Sequence, residues 1–168
     1  MPGYPYNQFG LNMLKITLLA VGKLKEDHWQ SAQDEYLKRL RPYAKVEVIE
    51  VAAAPITPSF GPERSMADEA ARLAARIPKD AAVIALDRRG EKVDSAGLAS
   101  WLEGAGASGQ RLVFVIGGAA GLDDKFLAAA NKKISLSGLT FTHEMARVIL
   151  LEQLYRAATI SAGKKYHY

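Results

Sequence analysis

The chain has 168 residues, 49% hydrophobic and 24% charged, the scale of one domain that buries roughly 70% of its unfolded surface. Its 22 basic and 18 acidic residues give +4, a mild bias toward polyanions such as nucleic acid. The absence of cysteine excludes disulfides, thiolate metal sites and cysteine nucleophiles and fits a reducing, cytoplasmic setting. No apolar run approaches the roughly 18 residues of a membrane span, and no metal site is expected.

Residues 1–12, "MPGYPYNQFGLN", carry no periodicity and lack the basic start and apolar middle of a signal peptide. They read as a disordered extension or an alternative start, with a single domain over 13–168. Strand-like runs follow at 15–21, 45–51, 81–87, 111–117 and 133–137. Between them, 26–40, 62–77, 95–105 and 123–131 space apolar residues by three and four. The alternation predicts a three-layer α/β/α sandwich with a mostly parallel sheet of five to six strands. The stretch 52–63, with three prolines and a glycine, is a long surface loop, either a tolerated insertion or a mobile element.

Two glycine clusters compete for attention. "GAGASG" (104–109) matches a dinucleotide fingerprint letter by letter, but it ends a helix and leads into a strand, whereas the fingerprint must open a helix. It reads as a C-cap and turn. "VFVIGGAAGLDD" (113–124) has the right context, with Gly117, Gly118 and Gly121 after a buried strand and Asp123 placed to cap the next helix. It is either a ligand loop or a plain connecting turn. Leu86, expected to close the third strand, and "LSGLTF" (136–141) should reach the same sheet edge, where ligands of open α/β sheets gather. No phosphate loop of the G-x-x-x-x-G-K-[ST] kind is present, so ATP, GTP and NAD are disfavoured.

From Glu144 to Ser161 the pattern is helical and apolar on nearly every side, which predicts burial on more than one face and a homodimer with this helix in its interface. Glu152 and Arg156, four apart, can pair with each other. Arg147 has no acid four residues onward, which makes it a candidate for a substrate phosphate or carboxylate. The tail "GKKYHY" sets Lys164 and Lys165 beside Tyr166, His167 and Tyr168, either a grip on phosphates and bases or a frayed basic end.

Taken together, "LLAVGKLK", "VIALDRRG", "FVIGGAAGL", "LSGLTFTHEMARVILLEQLYRA" and the closing "YHY" resemble the ribosomal large-subunit methyltransferase H family of the SPOUT class, from Met13 to the end. The resemblance implies an S-adenosylmethionine-dependent enzyme that methylates N3 of a pseudouridine in 23S rRNA, on the assembled ribosome, as a homodimer. It also implies a C-terminal trefoil knot, which periodicity does not show. By motif, Leu86, Gly117, Leu136, Ser137, Gly138, Leu139, Thr140 and Phe141 should line the cofactor pocket. His143, Arg147, Tyr166 and His167 would be catalytic, with either histidine taking the N3 proton and Arg147 stabilising the oxyanion. Tyr155, Arg156, Lys164 and Lys165 would contact RNA. The sequence departs from the family at Thr142, where proline is usual before the histidine, and at Tyr168, where a basic residue is usual. A noncatalytic RNA-binding dimer and a flavodoxin-like oxidoreductase are the competing readings.

Overall fold

The computed structural model describes residues 13–164 of the chain. Among them five strands alternate with five helices. These are β1 (Leu14–Val21), α1 (Asp27–Leu40), β2 (Ala44–Val51), α2 (Pro62–Ala74), β3 (Ala81–Lys92), α3 (Ser95–Ser108), β4 (Arg111–Ile116), α4 (Asp124–Ala129), β5 (Lys132–Ser135) and α5 (His143–Ser161). The strands form one parallel sheet in the order β2-β1-β4-β3-β5. In its centre Leu18 of β1 stands between Val48 of β2 and Phe114 of β4.

The period of two along β1 and β4 sorts side chains into two cores. Ile16, Leu18, Leu112 and Phe114 pack with Leu40, Leu98, Leu102 and Leu150 from α1, α3 and α5. Leu19, Val21, Val113 and Val115 point the other way, toward Leu73 of α2 and Leu127 of α4. Strands buried on both faces need near-continuous apolar runs, which "LLAV" and "LVFVI" supply. The expected three layers are therefore present, with five strands.

Helix α5 lies between α1 and α3 and against the sheet. That placement supplies the second layer that the sequence reading assigned to a partner subunit. Leu150, Leu151, Leu154 and Ala157 are each 0% exposed within the single chain, so the helix finds apolar neighbours on the sheet and on both flanks without a second subunit.

Local chemistry sets the helix ends. Asp94 accepts from Gly97 N–H, and Asp123 accepts from the N–H groups of Lys125 and Phe126, the cap expected there. Of the fingerprint-like glycines, Gly104 and Gly106 lie inside α3, and Gly109, at φ 67°, ends it in the left-handed conformation. The loop after β2 is anchored at its start, where Ala54 N–H donates to Glu69 Oε1 at 2.9 Å and Ser65 Oγ donates to the Ala54 carbonyl.

Strand β3 does not close at Leu86. It continues to Lys92, and both Leu86 and Glu91 register against Ile134 of β5, so the residues between them bulge outward. The bulge requires glycine at its return, because a Cβ on Gly90 would stand 2.6 Å from the Ile134 carbonyl carbon.

Candidate active site

The carboxyl ends of β3, β4 and β5 open onto a cavity of about 580 Å³, within the size range of small-molecule sites. Its wall takes Leu86, Asp87, Arg88 and Arg89 from β3, Gly117 to Leu122 from the loop after β4, and Leu136, Ser137, Leu139, Thr140 and Phe141 from the loop after β5. Ile116 of β4, Asp124 of α4, His143 and Ala146 of α5 and Met66 of α2 complete it. The structure thus gathers Leu86, Gly117, the loop after β5 and His143 around one space. Gly138 is not part of the wall; it is exposed, with no atom within 4 Å of where its Cβ would be.

Two loops make the floor and rim out of main chain. Gly118 and Gly121 bridge to each other, and a Cβ on Gly117 would lie 2.8 Å from the Gly121 carbonyl carbon. A Cβ on Gly118 would meet Glu69 Oε2 at 2.7 Å, where Glu69 itself is only 4% exposed. In the second loop, Ser135 Oγ donates to the Ser137 carbonyl at 2.8 Å and Ser137 Oγ accepts from Leu139 N–H at 3.0 Å. Thr142 Oγ1 then accepts from Met145 N–H at 3.3 Å. A capping hydroxyl stands where the resemblance leads one to expect a proline.

His143 begins α5 with its Nε2 3.2 Å from Glu144 Oε1, and its ring lies over Gly22. Burial works to raise the Glu144 carboxyl. It is outweighed by hydrogen bonds from its own N–H and the Thr142 hydroxyl and by the charges of His143 and Arg147, so the group sits below the ordinary carboxylate range. On the rim, Arg89 bridges Asp87 and Asp124, each at 3.0 Å. The Arg89 hydrogen bond holds Asp87 below its ordinary range, and the two carboxylates raise Arg89 in return. Arg88 is exposed and makes no hydrogen bond or ion pair among the described residues.

Arg147 overturns the expectation that it faces a substrate. It is 0% exposed, with Nη1 2.5 Å from Glu50 Oε1 and Nη2 donating to the Gly22 carbonyl at 3.0 Å. The acid missing from its own helix comes from β2. Arg156 pairs with Glu152 at 2.6 Å, as its spacing implies. Tyr155 packs among Tyr36 and Tyr43, and Lys164 lies over the Tyr43 ring at 5.8 Å. At a rise of about 1.5 Å per residue Tyr155 and Arg156 stand roughly 20 Å along α5 from His143, and Lys164 follows the end of that helix. Lys165, Tyr166, His167 and Tyr168 lie outside the described residues. Sequence reasoning missed Met66 and Glu69, which no local pattern marks because α2 reaches the glycine loop only through the fold.

Residues 14–167 match the family described as "Predicted SPOUT methyltransferase". The chain belongs to the SPOUT methyltransferases. It is 44% identical over 158 residues to "Ribosomal RNA large subunit methyltransferase H" of Halothermothrix orenii, spanning 92% of this chain and 99% of that protein. Among solved structures it resembles the "probable methylase family protein" of Haemophilus influenzae Rd KW20, at a TM-score of 0.54 and 15% identity, over 93% of this chain and 72% of the other. TrmJ from Z. mobilis ZM4 gives 0.51 and 19%, over 87% and 70%. At such identities these two likenesses show the fold alone. Among the described residues no helix is long and apolar enough to cross a membrane.

Proposed function

We propose that this SPOUT methyltransferase uses S-adenosylmethionine to methylate N3 of a pseudouridine in 23S rRNA of the assembled ribosome, in the cytoplasm. The observation that carries the reading is the convergence of the glycine loop and the loop after β5 on one cavity at the carboxyl edge of the sheet. The name of the Halothermothrix relative supplies the RNA class.

The wall fits such a methyl donor. Gly117, Gly118 and Gly121 line the cavity without side chains, so the donor would meet main-chain N–H and carbonyl groups there, while Leu86, Leu136, Leu139 and Phe141 offer apolar surface to a flat base. Ser137 and Thr140 add short polar side chains to the same loop. When bound, the donor supplies an electrophilic methyl on a sulfonium. The chain's own residues have three tasks: to hold the two reactants in line, to exclude water and to take the N3 proton.

His143 is placed for the last task. Its ring lines the cavity, and the Glu144 carboxylate, 3.2 Å from Nε2, would stabilise the imidazolium that results from taking the proton. Tyr166 and His167 of the tail would complete the chemistry, and Tyr155, Arg156, Lys164 and Lys165 would hold the RNA. Arg147 is reassigned from the oxyanion to a supporting position, since its guanidinium is fully buried.

Distance supports a homodimer: Arg156 and Lys164 lie near the far end of α5, so if they hold RNA at a cavity, that cavity would belong to a second copy. Leu139, 73% exposed, and Met145, 39% exposed, are the apolar surface that such a copy would cover near the cavity. The return of α5 from the sheet edge at β5 to a slot between α1 and α3 is compatible with the trefoil knot that the family resemblance implies.

Incubation with labelled S-adenosylmethionine and ribosomes lacking the modification, followed by mass-spectrometric mapping of the rRNA, tests the reading. Label on one pseudouridine is expected. Calorimetry that finds no binding of the donor would favour the noncatalytic RNA-binding dimer instead.

A further inference from the structure

Arg147 has its charge met from outside its own helix. Nη1 pairs with Glu50 at the carboxyl end of β2, 97 residues away in the chain, and Nη2 donates to the Gly22 carbonyl just past β1. Gly22 is held at φ +84°, and a Cβ there would stand 3.3 Å from His143 Nε2. One guanidinium therefore fixes the end of β1, the end of β2 and the first turns of α5 in a single register. The residue that rests on Gly22 in that register is His143. Neither β1 nor β2 contributes to the cavity wall, and this contact is one route by which their ends reach a residue that does.

Stability alone does not account for the arrangement. A buried ion pair is commonly no better for stability than an apolar pair of the same volume, and here Arg147 Nε is buried without a partner. What the pair supplies instead is direction, since a planar guanidinium bonds its two partners only in a fixed fork.

We propose that Glu50 is a positioning residue for methyl transfer, acting through Arg147 and Gly22 to hold the His143 ring against the cavity. Glu50 does not itself line the cavity. The inference rests on the reading of His143 as proton acceptor.

The test uses the full chain and unmodified ribosomes, with Glu50→Ala, Glu50→Gln and the double variant Glu50→Leu with Arg147→Met. Turnover, KM for the methyl donor and the imidazole resonances of His143 are measured together. Glu50→Ala should lower kcat by about ten- to a hundredfold, the upper figure being the scale of a reacting group misplaced by about 1 Å, with KM little changed. Glu50→Gln, which accepts the same hydrogen bond, should recover most of the loss. The double variant should remain folded, keep the kcat defect and shift the His143 resonances. Should Glu50→Ala fail to fold, the double variant decides.

Unchanged kcat and unchanged His143 resonances in a folded variant would overturn the proposal. So would recovery of kcat in the double variant, since that would reduce the pair to a filler of space. If the wild-type chain methylates nothing, the functional reading fails by itself, and the His143 resonances still report whether Glu50 sets the ring.

Discussion

Glu69 and Gly118 fit together only because one of them lacks a methyl group: a Cβ on Gly118 would lie 2.7 Å from Glu69 Oε2. Glu69 cannot simply swing aside, because its other oxygen accepts from Ala54 N–H at 2.9 Å and the side chain is buried. Gly118→Ala should therefore either break that bond or lift the glycine loop. The expected loss is about 1–3 kcal/mol in urea denaturation, the usual range for overpacking, together with weaker binding of the methyl donor by calorimetry. Gly104 provides the contrast. It sits inside α3 with nothing within 4 Å of its Cβ position, so Gly104→Ala should raise stability by about 0.5–1 kcal/mol.

Gly90→Ala should be harsher. Its Cβ would meet Ile134 N, Cα and C at 2.6–2.8 Å, and main chain within a sheet gives way far less than a side-chain tip. β5 would have to separate from the return of the β3 bulge, at a cost of about 3 kcal/mol, the upper end of overpacking effects. Since β5 leads directly into the loop that lines the cavity, donor affinity should fall in the same variant. Equal affinity for wild type and Gly90→Ala would show that the loop holds its shape without the bulge.

What sequence conveyed and what it withheld divides along the range of the interactions. Strand and helix alternation, the Asp123 cap and the Gly109 terminus depend on residues a few positions apart, and each stands where period and turn chemistry put it. The order β2-β1-β4-β3-β5 depends on which strands meet after the chain has folded, and periodicity carries no record of that. The apolar surface of α5 announced burial on several sides but not by what, since α1 and α3 are brought to its flanks only by the fold. Arg147 was misjudged for the same reason, its acid being 97 residues away. Leu86, Gly117 and the loop after β5 were found through motif resemblance, while Glu69 and Met66 are brought to the glycine loop only by tertiary packing.

The first turn of α5 should make acid stability sensitive to one hydroxyl. Glu144 sits below the ordinary carboxylate range, so its contribution to stability is fully present above about pH 4.3 and is lost as pH falls through its lower folded value. The stability difference between wild type and Glu144→Gln should accordingly hold steady from neutrality to mild acid and shrink below about pH 4. Thr142→Ala removes the cap on Met145 N–H, at about 1 kcal/mol. It also removes one of the hydrogen bonds that lower Glu144, so the acid-induced loss in that variant should be smaller and should be complete at higher pH. Urea titrations across pH for the three proteins would show this, and parallel curves would count against the Thr142 contact.

If cavity and RNA-facing residues come from different copies, two inactive variants should rescue each other. His143→Ala spoils the cavity of its own chain, and Arg156→Ala spoils the surface that its chain presents to the partner. A mixed dimer then contains one site with both defects and one with neither. Random exchange of subunits in an equal mixture makes half of the dimers mixed, so methylation should return to about a quarter of the wild-type rate, against almost none for either variant alone. A chain that acted alone would show no recovery on mixing, whatever the ratio, because every cavity would keep its own defect. Recovery that tracked subunit exchange, followed by native mass spectrometry, would tie the two ends of α5 to one reaction across two molecules.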